Sequence, residues 1–149
     1  MKARLCVVAG ILAIAAGAAA DPLEVTDAWV RQPPPGANAA AYLTLVNPGA
    51  TTQRLVAASS DACERVEMHR SVVENGVARM RALQAIEVPA GQSVVLAPRG
   101  LHLMLIAPKP LQEGDRVVLR LALDGGETLA VDAPVRAGTP HGGHAKGHH

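Results

Sequence analysis

The chain has 149 residues, with 14 basic and 13 acidic side chains, and its only aromatic residues are Trp29 and Tyr42. So balanced a charge sets up no basic field to draw in nucleic acid or an anionic bilayer. So few rings leave little on which bases or sugars could stack.

In chain order, residues 1–20 read as a signal peptide: Lys2 and Arg4 give a basic start, Leu5 to Ala16 is apolar, and Ala18-Ala19-Ala20 offers small residues before Asp21. The apolar run is shorter than the roughly 20 residues that span a bilayer. Cleavage would release an exported protein, expected in a periplasm, with no stable membrane insertion. It would also remove Lys2, Arg4 and Cys6, leaving 12 basic against 13 acidic residues and Cys63 as the single cysteine. One cysteine cannot close an internal disulfide, so the domain must rest on its own core. Residues 21–136 have the length of one domain.

Short runs of β-branched and aliphatic residues follow, punctuated by Gly, Pro, Asn and Asp, as in an all-β antiparallel sandwich or Greek-key barrel. Strands are predicted near Glu24–Val30, Ala40–Asn47, Gln53–Ala58, Glu64–Arg70, Val77–Leu83, Ser93–Ala97, Leu101–Ala107, Arg116–Leu123 and Thr128–Val135. Turn signals include Asn47-Pro48-Gly49, Asn75-Gly76, Pro98-Arg99-Gly100 and Asp124-Gly125-Gly126. From Ala137 the apolar pattern stops, and residues 137–149 read as a disordered, His-rich tail.

Methionine after the initiator occurs only at Met68, Met80 and Met104, and histidine outside the tail only at His69 and His102. Any one of these alone would be unremarkable, since a single Met on a strand is usually core and a single His a hydrogen-bonded surface residue. Strand parity sorts them. His102 and Met104 leave one face while Leu101, Leu103 and Leu105 leave the other, toward the core. If Asn75-Gly76 forms a two-residue type I′ turn, Glu74 pairs with Val77, His69 with Ala82 and Ser71 with Met80, so His69 and Met80 become diagonal neighbours on one face. Met68 falls on the opposite face, across from Leu83, and is expected to fill the core. Four donors remain, His69, Met80, His102 and Met104. Imidazole with thioether and no thiolate suits Cu(I) better than zinc, magnesium or calcium.

The spacing H-x10-M-x21-H-x-M resembles the signature of the periplasmic copper chaperone family PCu(A)C. Its flanks do too, among them Asp27-Ala28-Trp29-Val30-Arg31, Ala41-Tyr42-Leu43-Thr44-Leu45, Glu67-Met68-His69 and His102-Leu103-Met104-Leu105. The resemblance covers nearly all of Asp21 to Val135. It implies a cupredoxin-like β-sandwich, a near-surface Cu(I) site of two His and two Met, and delivery of copper to cytochrome c oxidase, chiefly its copper A centre. An enzyme is not expected, because the sequence offers no Ser/His/Asp or paired-carboxylate constellation and a copper oxidase or monooxygenase would need a more nitrogen-rich centre. The partner would be an oxidase subunit or another assembly copper chaperone. A blue-copper electron carrier is the rival on the same fold, but it needs a His-Cys-His set that Cys63 does not supply in context. Copper sequestration without a client is the second alternative. In the tail, His141, His144, His148 and His149 offer nitrogen donors suited to accessory Cu(II) binding.

Overall fold

A computed structural model of the chain describes residues 21–138, in which every regular element is a strand. They are β1 (Glu24–Arg31), β2 (Ala39–Val46), β3 (Gln53–Ser59), β4 (Arg65–Glu74), β5 (Val77–Leu83), β6 (Ile86–Val88), β7 (Ser93–Leu96), β8 (Leu101–Ile106), β9 (Arg116–Leu123) and β10 (Thr128–Arg136). Nine correspond to predicted strands. The tenth, β6, has three residues, too few to show an alternation, and is fixed by pairing with β3 and by burial of Ile86 and Val88.

The strands follow one hydrogen-bonded order, β5-β4-β8-β2-β1-β10-β9-β3-β6, with β7 paired to β2. Its two halves, β5-β4-β8-β2-β1 and β10-β9-β3-β6, contribute to one buried core. Strand β2 divides one edge between two partners, pairing Ala39–Ala41 with β8 and Leu43–Val46 with β7. The turn 97–100 connects these two partners. The halves join where the end of β1 pairs in parallel with the end of β10, through Val30↔Val135 and Arg31↔Arg136. This is a departure from a purely antiparallel ladder: Val30 pairs with Ala41 of β2 on one edge and with Val135 of β10 on the other, so the end of β1 bridges the two halves.

The core is aliphatic, as the shortage of rings demands. Leu43 and Leu45 of β2, Leu103 and Leu105 of β8, and Leu119 and Leu121 of β9 are at most 1% exposed. Each such leucine truncated to alanine typically costs about 2–5 kcal/mol, counting lost transfer energy and the cavity left behind. The one fully buried polar side chain is Asn47, among the described residues. Its Nδ2 donates to the carbonyls of Thr51 and Val88, and its Oδ1 accepts from the Gly49 amide. The Asn47-Pro48-Gly49 turn is therefore tied into the sandwich from inside.

Candidate metal centre

The β4–β5 hairpin has the expected register. Asn75 and Gly76 both take positive φ, 51° and 76°, as a type I′ turn requires. Glu74 then pairs with Val77, Ser71 with Met80, His69 with Ala82 and Met68 with Leu83. On its other edge β4 pairs with β8, which sets His69 directly opposite His102 and Glu67 opposite Met104. Three adjacent strands thus carry Met80, His69 and the His102/Met104 pair on one face. The His69 and His102 rings lie 5.6 Å apart, edge to face. Met80, His102 and Met104 line one hollow.

Both imidazoles are oriented by a partner on one nitrogen and bare on the other. His69 Nε2 lies 2.8 Å from Glu67 Oε2, and His102 Nδ1 lies 3.1 Å from the Gly100 carbonyl. Acceptors at those positions select the tautomers with hydrogen on His69 Nε2 and on His102 Nδ1. The opposite nitrogens, His69 Nδ1 and His102 Nε2, are buried and have no hydrogen-bond partner. A buried lone pair without a donor is costly unless something else engages it. The two rings that carry them are neighbours, so an ion placed between them could engage both lone pairs.

His102 is only 3% exposed, although parity put its face outside the sandwich. The aromatic residues account for part of that cover. The Tyr42 and His102 ring centroids lie 6.5 Å apart, and Trp29 packs against Tyr42 with centroids 4.9 Å apart and the rings tilted by 42°, so both aromatic residues of the chain are gathered beside this face. Burial lowers the pKa of His102 below the ordinary histidine value; the Gly100 carbonyl opposes that shift and the neighbouring His69 adds to it. His102 is thereby kept neutral, the form that can donate a lone pair. Glu67 is held below the usual carboxylate range by Arg65, which bonds it, and then by His69. It stays an anion facing His69. Met80, by contrast, is 60% exposed at the hairpin. The face grades from buried imidazoles to an open thioether.

Met68 lies on the core side, 7% exposed, between Leu83 and Leu103. Cys63 precedes β4, packs partly against the core, and its thiol is pushed up by burial. Among the described residues no three of His, Cys, Asp and Glu come together as a metal-binding group. The signal-peptide reading of residues 1–20 and the tail histidines His141, His144, His148 and His149 lie outside the described residues. Two contributors escaped the reading of the sequence, Glu67 and Tyr42. Glu67 has the parity of His69 and could have been found by it; Tyr42 needed the β2–β8 pairing.

A family model described as “Putative lipoprotein LpqE-like” matches residues 23–135. A protein of Leifsonia xyli subsp. xyli described as “Putative lipoprotein Lxx21020” is 35% identical over 122 residues, covering 80% of this chain and 73% of that protein. Among solved structures, the solution structure of Cu(I)-DR1885 from Deinococcus radiodurans is similar with a TM-score of 0.66 at 33% identity, over 83% of this chain and 85% of that one. The copper-bound PCuAC domain from PmoF2 is similar with a TM-score of 0.67 at 23% identity, over 80% and 97%. At that identity the second likeness speaks to fold alone. The chain's fold is the cupredoxin-like sandwich expected from its sequence.

Proposed function

The chain belongs to the LpqE-like family, whose solved neighbours are PCu(A)C domains, and on that premise we propose that it is an exported copper carrier. It holds one Cu(I) ion through His69, Met80, His102 and Met104 and passes it on during assembly of cytochrome c oxidase, at the copper A centre, to an oxidase subunit or another assembly chaperone. The observation that carries this reading is the pair of buried, partnerless nitrogens, His69 Nδ1 and His102 Nε2, on the face that also presents Met80 and Met104.

The donor set suits a carrier. Two neutral imidazoles and two neutral thioethers hold a soft monovalent ion without neutralising it, so a thiolate acceptor can draw the ion away. Absence of a cysteine ligand also protects the site in an oxidising compartment, where thiols are lost to disulfides. Exchange begins at Met80, the exposed ligand, while the imidazoles stay fixed by Glu67 and Gly100. The tail histidines His141, His144, His148 and His149 serve Cu(II) capture, a role proposed from their nitrogen donors; truncation after Arg136 is expected to lower Cu(II) uptake and spare Cu(I) binding.

Anaerobic titration of the full chain with Cu(I), followed by X-ray absorption, tests the centre. One ion per chain with two sulfur and two nitrogen donors is expected. A shell without sulfur overturns it.

A further inference from the structure

The three methionines that strand parity separates also differ in what stands around their sulfur. Met80 sits on β5, which ends the strand order and so has a partner strand on one side only. On the face that Met80 shares with His69, its neighbours are Ala78 and Ala82 along the strand, Ser71 directly opposite, and Val73 and His69 on the diagonals. Three of those five are alanine or serine, too short to stand over a thioether. We propose that Met80 is an oxidation site that gates copper loading: hydrogen peroxide converts its thioether to the sulfoxide in the empty protein, which then takes up Cu(I) weakly. The gating rests on the proposed role of Met80 as a ligand; the oxidation itself does not.

The long side chains nearest in sequence do not cover that sulfur. Arg79 and Arg81 have the opposite parity, and Glu74 engages both: Arg81 Nε donates to Glu74 Oε1 at 3.1 Å, and Arg79 Nε lies 3.7 Å from Glu74 Oε2. One carboxylate thus holds both guanidinium groups on the far face of the hairpin. Met80 is left with 60% of its surface in water. Met104 has no such freedom, since β8 is flanked by β4 and β2, with Glu67 opposite on one side and Ala40 on the other, and it is half-buried. Met68 is enclosed between Leu83 and Leu103. Oxidants reach thioethers in order of exposure, so Met80 is the first of the three to react.

The reaction transfers one oxygen atom. A sulfur lone pair attacks the peroxide O–O bond, sulfur gains the S–O bond, and the second oxygen leaves as water; sulfur loses two electrons and peroxide gains them. One lone pair has gone into the S–O bond and the other is held more tightly by an electron-poor sulfur, so the donor no longer suits a soft ion. A methionine sulfoxide reductase reverses the step with two thiols, which become a disulfide while the oxygen leaves as water. A bound ion draws on the same sulfur electrons, so copper and oxidant compete for Met80. An empty chain is closed by oxidation, and a filled one is shielded at that sulfur. The change stays local, because Met80 is not part of the buried core.

The test treats the full apo chain briefly with hydrogen peroxide and follows sulfoxide at each methionine by peptide mass spectrometry. Met80 should be oxidised roughly tenfold faster than Met68, with Met104 between them. Ag(I), a soft monovalent ion like Cu(I) that peroxide leaves unchanged, should slow the reaction at Met80 when bound. The chain with sulfoxide at Met80 should keep a folded amide NMR spectrum and bind Cu(I) roughly tenfold more weakly in competition titration, and a methionine sulfoxide reductase with dithiothreitol should restore the affinity. Met80→Leu should bind Cu(I) weakly before and after peroxide alike. Met80 reacting no faster than Met104 or Met68 overturns the oxidation site. Undiminished Cu(I) affinity in the sulfoxide form, with Met80→Leu weakened, overturns the gate and leaves the ligand reading intact. Undiminished affinity in both shows that Met80 is not a ligand, and the gate then falls while the oxidation site stands.

Discussion

The Glu67 carboxylate lies beside His69, with Oε2 2.8 Å from Nε2, and leaves Nδ1 of that ring buried and without a hydrogen-bond partner. Two residues apart on one strand, they share a face by necessity. Arg65 bonds the same carboxylate at 2.8 Å and holds it in place. A carboxylate behind a metal-ligating histidine fixes its tautomer and raises its basicity.

Glu67→Ala should therefore weaken Cu(I) binding about 10- to 100-fold, the usual effect of losing such a partner. Stability should change little, because the group is solvent-facing and its pairing with Arg65 is exposed. Competition titration against a Cu(I) chelator reads the affinity, and 15N chemical shifts of His69 in the apo protein read the tautomer. A mixed tautomer with undiminished affinity would show that Glu67 orients the ring without serving the metal.

The three methionines should separate cleanly. Met80→Ala removes a side chain that is 60% exposed, so it should lower Cu(I) affinity and leave thermal stability nearly unchanged. Met104→Ala should lower affinity as well. Met68→Leu replaces a buried residue with one of similar volume, for which the usual cost is under about 1.5 kcal/mol, and Cu(I) affinity should be retained. Equal loss of affinity in all three variants would contradict the assignment of faces.

Much of this geometry was legible in the sequence because a strand alternates strictly and a two-residue turn fixes register. Asn75-Gly76 alone determines that Met80 lies diagonal to His69 and that Met68 turns inward. Pairing between strands distant in sequence carries no such local signal. Nothing in the residues of β8 announces that His102 will face His69 on β4, or that Tyr42 of β2 will cover it; those relations come from the order β4-β8-β2 in the sheet. The burial of His102 was missed for the same reason, since parity gives a face and only the neighbours decide whether that face is wet.

Asn47 offers a test of the fold apart from the metal. Asn47→Ala would strip the Thr51 and Val88 carbonyls and the Gly49 amide of their partner at once. Leaving such groups unsatisfied costs about 1–3 kcal/mol, the part nearest water being recovered by hydration. Urea denaturation should show a loss in that range. Cu(I) stoichiometry should stay at one, because Asn47 and the residues it bonds do not line the hollow beside His102.

Acidification should reveal His102 separately from the carboxylates. Its folded pKa lies below the unfolded value of 6.5, chiefly through burial, so below 6.5 the unfolded chain binds the proton more readily. The associated stability is fully present above pH 6.5 and is lost as the pH falls from there through the folded value. The loss linked to Glu67, whose pKa is also lowered, belongs to a separate window below its ordinary 4.5. Urea midpoints of the apo protein at pH 7.5, 6.0 and 5.0 should fall in the parent and fall less in His102→Gln. A metal ligand must be the neutral ring, so if His102 holds Cu(I) as proposed the loaded protein should keep its stability to lower pH. A parent and a His102→Gln variant with the same slope between pH 7.5 and 5.0 would mean that the buried imidazole is not the group that titrates.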